Sequence, residues 1–234
     1  MNGLLVLRRA LSAVEDAVFP PCCGGCARRG AWLCPVCLAS LRPLPEPCCR
    51  RCGRPLEVEA PACEVCRAWP GALHSVRGAF AFEGALRASI HRFKYQGEHA
   101  RANSLAALLV EPARARGKAW DLISPVPLHP RRRRQRGFDQ AELLSRRLGR
   151  ELGLPVAGGL ARLRETRPQV GLGVDERRAN VDGAFGWRGA PLAGAAVLLI
   201  DDVVTTGATM AAAAAALQAA GATHIDGLAL ARAV

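Results

Sequence analysis

Two groups of residues in this 234-residue chain have types and spacings that do chemistry. The first is made of cysteines. All ten lie between residues 22 and 66, and eight fall into four Cys-x-x-Cys pairs: Cys23/Cys26, Cys34/Cys37, Cys49/Cys52 and Cys63/Cys66. Each pair can form a tight knuckle whose two thiolates face one metal ion. Two knuckles complete a tetrahedral site of four thiolates, the closed geometry of structural zinc. Seven residues separate the first two pairs and ten the last two. Sequential pairing gives two small ribbons, and interleaved pairing satisfies the same spacing. A disulfide framework and an iron–sulfur cluster are the rival uses of such cysteines. One spacing repeated four times favours one or two zinc ions. So short a segment, with few large apolar residues, cannot build a core of its own. Metal binding contributes on the order of 10–16 kcal/mol of apparent folding free energy per site. Arg50, Arg51 and Arg54 flank the third knuckle and give it a basic surface.

The second group is Asp201-Asp202-Val203-Val204-Thr205-Thr206-Gly207-Ala208-Thr209. It follows the continuous apolar run 195–200, which reads as a buried parallel strand, and precedes an Ala-rich helix over 208–220. A Thr/Gly turn entering a helix exposes backbone N–H groups, and the helix dipole adds partial positive charge there. A phosphate fits such a turn. Two acids at the carboxyl end of the strand are acceptors suited to the 2′- and 3′-hydroxyls of a ribose. Two adjacent Asp after a buried strand are costly without a partner, so a plain capped helix explains the pattern poorly. A Walker loop is excluded, since no Gly-Lys-Ser/Thr follows. Gly171-Leu172-Gly173 lacks the third Gly of a dinucleotide fingerprint.

These two groups need elements to hold them. Val76, Phe80 and Phe82 mark a first strand, and residues 85–93 and 99–116 read as helical. Residues 122–126 form a short apolar run ending in a Pro-rich loop, and 139–152 is a strongly amphipathic helix. A further apolar run starts near Leu154, residues 162–190 are polar, Arg-rich and poorly periodic, and 225–231 is a last strand. Strand–helix alternation of this kind predicts an α/β fold with a parallel sheet flanked by helices. The expected organisation is an N-terminal amphipathic helix within 1–19 (apolar at Leu4, Leu7, Leu11, Val14 and Val18), a Cys-rich ribbon module over 20–68 and the α/β domain over 72–234.

The formal charge is +12, from 32 Lys and Arg against 20 Asp and Glu. That balance points to an anionic partner, although an Arg- and Ala-rich genome produces the same excess. Arg131, Arg132, Arg133, Arg134 and Arg136 form the densest basic run, and His91-Arg92-Phe93-Lys94-Tyr95 mixes basic and aromatic types. The first is a phosphate grip or a solvated helix face. The second is a base-stacking patch or, for Phe93, core. No stretch approaches the roughly 20 apolar residues of a membrane span. Arg8 and Arg9 interrupt Leu4-Leu5-Val6-Leu7, so no secretory run forms and the cytoplasm is the expected compartment. No nucleophile–base set is apparent, and catalytic residues stay unassigned.

Residues 200–209 resemble the phosphoribosyl pyrophosphate (PRPP) motif of type I phosphoribosyltransferases. The chain from about residue 19 to residue 232 resembles the ComF family, competence-associated proteins with a double zinc ribbon fused to such a domain. The specific pieces are Pro125-Val126-Pro127-Leu128-His129-Pro130 with Arg136-Gly137-Phe138-Asp139-Gln140, then residues 166–169, 176–180 and 201–209. Asp139 departs from the family's usual Asn. The resemblance implies that Asp201 and Asp202 hold ribose hydroxyls and that residues 205–209 hold the 5′-phosphate. It implies that the turn at Leu128, His129 and Arg131 takes the place of the pyrophosphate loop. Residues 162–180 become a covering segment, with Arg164, Arg177 and Arg178 near the pyrophosphate. Mg²⁺ would bridge ligand oxygens. The implied role is handling of incoming single-stranded DNA with DNA-uptake machinery proteins. The alternative is an active phosphoribosyltransferase with an unnamed acceptor.

Overall fold

The computed structural model of the protein describes residues 21–67, 69–71, 73–166 and 173–233. The helix expected within 4–19 lies outside them, as do residues 167–172 of the expected covering segment. The cysteine-rich segment contributes α1 (Pro35–Ala39) and α2 (Glu64–Arg67). Then come β1 (Leu73–Ala81), α3 (Gly84–Tyr95), a 3-10 turn (His99–Arg101), α4 (Ala102–Ala107), α5 (Val110–Arg114) and β2 (Leu122–Pro125). After these follow α6 (Pro130–Arg136), α7 (Gln140–Leu152), β3 (Leu160–Arg162), α8 (Val174–Val181) and β4 (Phe185–Trp187). β5 (Ala196–Val204), α9 (Ala208–Ala219) and β6 (His224–Arg232) close the chain.

Four strands form one parallel sheet in the order β1-β6-β5-β2, and β3 with β4 makes a separate antiparallel ribbon. The sheet is buried on both faces, as a parallel sheet must be. Along β5, Val197 and Leu199 face one apolar cluster with Met210, Ala213, Ala214 and Leu217 of α9. Leu198 and Ile200 face the other, with Ile90 and Phe93 of α3, Leu105 and Leu109, and Leu144 and Leu148 of α7. Alanine lets α9 lie close to the sheet and is the best helix former. α7 starts where Asp139 accepts from the Glu142 N–H at 3.3 Å and stops at Gly153, whose φ is +69°.

Two expectations are corrected. The segment 99–116 is not one helix. It breaks between Ala107 and Val110, where Pro112 removes a donor and its ring would strike the carbonyl four residues back. The strand expected to end at residue 200 continues to Val204, in register with Arg232 of β6. Asp201 and Asp202 are therefore strand residues, and the true turn is Thr205-Thr206-Gly207.

The cysteine segment is docked on the sheet. β1 is an edge strand, and its outer side is met by the segment's main chain: Val76 N–H donates to the Arg51 carbonyl at 2.8 Å and Ala81 N–H to that of Arg42 at 2.9 Å. The Arg51 guanidinium returns to the carbonyls of Cys66, Pro70 and Leu73 at 2.7, 2.9 and 2.9 Å. Arg101, with no exposed surface, joins the first half of the segment to α3. It donates to the Cys22 carbonyl at 3.0 Å, to Ser89 at 3.2 Å, to the Trp32 carbonyl and to Glu98.

Candidate functional site

The sulfurs of Cys23, Cys26, Cys34 and Cys37 lie within 4.8 Å of one another, and so do those of Cys49, Cys52, Cys63 and Cys66. The grouping is sequential, which resolves the pairing the spacing left open. Separations of 3.6 Å (Cys26–Cys34), 3.4 Å (Cys49–Cys66), 3.6 Å (Cys52–Cys63) and 3.5 Å (Cys63–Cys66) suit a cage. An ion about 2.3 Å from each of four tetrahedral sulfurs requires roughly 3.8 Å between them, far from the ~2.05 Å of a disulfide. The residues fit zinc. Amides already point at the sulfurs: Cys34 N–H reaches Cys23 Sγ at 3.4 Å, and the Cys52 and Cys63 N–H groups reach Cys49 Sγ at 3.4 and 3.2 Å. Burial pushes the Cys49 thiol up, but these donors outweigh it and bring Cys49 down to about 6. Cys22 and Cys48 stand outside both cages, each bridged across its knuckle, to Arg29 and Pro55.

A cleft of about 340 Å³ opens between α3 and the end of β5. Asp201, Val203, Val204, Thr205, Gly207 and Thr209 line one side, and Arg87, His91, Lys94 and Tyr95 the other, with Arg177 of α8. Gly207, at φ +81°, turns the chain into the twelve-residue α9. Among the described residues no protein acceptor meets the N–H groups of Thr205, Thr206 or Gly207, while that of Ala208 meets the Thr206 hydroxyl at 3.3 Å. Thr205 and Gly207, at the helix N-terminus, thus line a cleft walled by cations, which is an anion-binding arrangement.

The two acids are not equivalent. Asp202 is 8% exposed and pairs with Lys94 at 2.5 Å. Asp201 lines the cleft, and its carboxylate accepts from the Asp202 N–H at 2.8 Å. Burial, then the adjacent Asp202 carboxylate, push Asp201 up to about 8 against the pull of Lys94. Burial draws the Lys94 ammonium down, but Asp202 outweighs it and holds Lys94 above its ordinary value.

Other predicted residues spread out. Thr206 and Ala208 face a second cleft, with Trp69, Arg178 and Ala211. The Trp69 indole lies so close to Gly207 that a Cβ there would stand 2.3 Å from it. Of the six residues expected on the pyrophosphate side, only Arg177 lines the first cleft. Arg164 donates to the carbonyls of Asp182 and Asn180 at 2.7 and 3.3 Å, at the carboxyl end of α8 where the helix dipole attracts a cation. Arg131 pairs with Glu165 at 3.3 Å, and His129 caps α6. Leu128 N–H donates to Asp139 at 2.7 Å, so the departure from Asn leaves this turn anchored by a carboxylate. Arg162, which burial holds below its ordinary value, feels Asp201 and Arg132 and bonds Thr166. Sequence reasoning misses Arg87 and places Lys94 only in a base-stacking patch, not against the two acids, although positions 87, 91, 94 and 95 fall on one helical face.

A family model described as "Double zinc ribbon domain" matches residues 14–68. The chain is 32% identical over 159 residues to "Competence protein F" of Haemophilus influenzae, covering 65% of this chain and 69% of that protein. It is 32% identical over 163 residues to "DNA utilization protein YhgH" of Escherichia coli O157:H7, covering 67% and 71%. With "Competence protein ComFC" of Bacillus subtilis it shares 27% over 134 residues, covering 53% and 54%. Among the described residues, no helix is long and apolar enough to cross a membrane.

Proposed function

This chain belongs to the ComF family, and on that premise we propose that it is a DNA-uptake protein that binds PRPP or a related ribose phosphate and handles incoming single-stranded DNA in the cytoplasm. One observation carries the sugar-phosphate part. Thr205 and Gly207, whose amides meet no protein acceptor among the described residues, line the cleft beside Asp201, opposite Lys94, Arg87 and Arg177. The amides and α9 dipole hold the 5′-phosphate, and Asp201 accepts from a ribose hydroxyl. Mg²⁺, when bound with the ligand, would neutralise diphosphate oxygens. Lys94 holds Asp202 in place and adds positive charge to the cleft. Calorimetric titration of zinc-replete protein with PRPP and Mg²⁺ tests this: saturable binding abolished by D201N/D202N is expected, and absence of heat with a correctly folded protein defeats it.

The basic face of α6 supports the DNA part. Arg131, Arg133 and Arg134 are exposed there, and Arg136 stacks on the exposed Tyr95 ring at 5.2 Å. Backbone neutralisation by such a face predicts affinity that falls steeply with salt. Fluorescence anisotropy with a labelled oligonucleotide measures it, and no binding at low salt rejects it. D201N/D202N should leave this binding intact. A second reading, transfer of the phosphoribosyl group, is favoured by the His91 and Tyr95 rings, 4.7 Å apart in the same cleft, which offer a planar acceptor a surface. There an acceptor's lone pair forms the bond to C1′ while the C1′–oxygen bond breaks and pyrophosphate leaves. No pyrophosphate release across a panel of bases and amines counts against it.

A further inference from the structure

Another cavity, of about 650 Å³, lies on the α6 side of the ribose-phosphate cleft. Lys94 and Tyr95 line both, so the two meet at the carboxyl end of α3. Arg132 and Arg136 of α6, with Gln96 and Gln135, complete the second, and among the described residues no carboxylate lines it. The α6 arginines divide accordingly. Arg131 and Arg133, which do not line this cavity, pair with Glu165 and Glu142 at 3.3 and 2.9 Å. Arg132 and Arg136 hydrogen-bond neutral groups, the Thr166 carbonyl at 2.8 Å and the Gln140 amide oxygen at 2.6 Å. Tyr95 is 64% exposed, with the Arg136 guanidinium 5.2 Å from its ring. A basic groove with an open aromatic ring suits single-stranded nucleic acid, phosphates on the cations and bases on the ring.

The first cleft sets which part of a strand enters. A 5′-terminal phosphate carries about −1.5 to −2 charge and three strong acceptor oxygens, whereas an internal phosphodiester carries a single charge. The Thr205 and Gly207 amides, the α9 dipole and Arg87 favour the greater charge. Behind the turn, the Trp69 indole lies so close to Gly207 that a Cβ would stand 2.3 Å from it. Protein backs the turn there, so a strand that reaches it ends.

We propose that the two cavities form one site for single-stranded DNA bearing a 5′-phosphate. The terminal phosphate sits on the Thr205–Gly207 turn, the first base stacks at Tyr95, and the following backbone runs along Arg132 and Arg136. The proposal rests on the phosphate half of the reading above. A DNA end and PRPP then exclude one another from the same turn.

The test uses the zinc-replete full chain in an anisotropy displacement assay with a 3′-labelled, 5′-phosphorylated probe. Unlabelled competitors of one sequence end in a 5′-phosphate, a 3′-phosphate or hydroxyls alone. The 5′-phosphate should raise affinity about tenfold or more over hydroxyls alone, and the 3′-phosphate, with the same charge, should not. PRPP and Mg²⁺, at concentrations that saturate in calorimetry, should remove that advantage. Arg87→Gln, at an exposed position of the first cleft, should shrink it several-fold and leave the hydroxyl-ended strand bound. Arg132→Ala/Arg136→Ala should instead weaken all three strands about tenfold or more at low salt and leave PRPP binding unchanged. The proposal is overturned by equal affinity for the three ends, by an advantage that persists under bound PRPP or in Arg87→Gln, or by unchanged DNA affinity in the double variant. PRPP heat with equal ends rejects the DNA-end site and keeps the ribose-phosphate reading. No PRPP heat, with an advantage that Arg87→Gln removes, does the reverse.

Discussion

Replacing Gly207 by Ala should damage the protein twice over, and the two parts can be separated. At φ +81° an L-residue carries a steric cost of about 1–2 kcal/mol. The new methyl would also stand 2.3 Å from the Trp69 ring, so the indole or the turn must move. Overpacking of that kind costs about 1–3 kcal/mol, for a sum of about 2–5 kcal/mol. Urea unfolding of zinc-replete protein, followed by tryptophan fluorescence and by circular dichroism, should show the midpoint falling by roughly 1–2 M for a slope near ~2.5 kcal/mol/M. In a Trp69→Leu background the clash disappears and only the backbone strain remains, so the same substitution should cost about 1–2 kcal/mol. PRPP affinity should fall with Gly207→Ala in both backgrounds, because the turn that presents the amides is altered in each. A loss below about 0.5 kcal/mol, or an equal loss in both backgrounds, would refute the idea that the ribbon-side indole braces this turn.

Other outcomes follow from the same geometry. Asp201 is held up to about 8, above its ordinary carboxylate range, so the folded state keeps a proton that the unfolded chain has released. Stability should therefore decline as pH rises from about 4 towards about 8, and Asp201→Asn should flatten that slope in denaturation measured at several pH values. Arg101→Met should cost about 2–6 kcal/mol, since it strands the Cys22 and Trp32 carbonyls while half-buried Glu98 keeps Arg92 as a partner, and a guanidinium chloride melt measures it. For single-stranded DNA the slope of log K against log salt is about −0.7 per phosphate neutralised. Arg134→Ala/Arg136→Ala should make it shallower by about 1.4 in anisotropy titrations.

Much of this was legible in the residues. The cysteine spacing marked eight metal-binding sulfurs, though neither how many cages they form nor which knuckles pair, because folding sets that and spacing does not. Asp139 and Gly153 marked both ends of α7 through chemistry that acts within one turn. The strand before the phosphate loop was visible as an apolar run, but its last four residues were not, since Asp201 and Asp202 do not look like strand. Tertiary pairing with β6 overrode their propensity. β3 and β4, three residues each, carry too little periodicity to detect. Of the Arg residues at 164, 177 and 178 only Arg177 reaches the cleft. Composition marks such residues as basic, but the direction each side chain takes depends on where α8 sits.

The main-chain bonds from Arg42 and Arg51 to β1 bear on how this chain can be cut. They occupy the outer flank of a nine-residue edge strand whose other flank is taken by β6. A truncated protein starting at β1 would leave that row of N–H and C=O groups bare, and bare edges recruit strands from neighbouring copies. Fragments lacking the cysteine segment should self-associate and precipitate rather than yield a well-behaved α/β domain. The small metal-bearing module thus acts as a guard against aggregation for the sheet it accompanies.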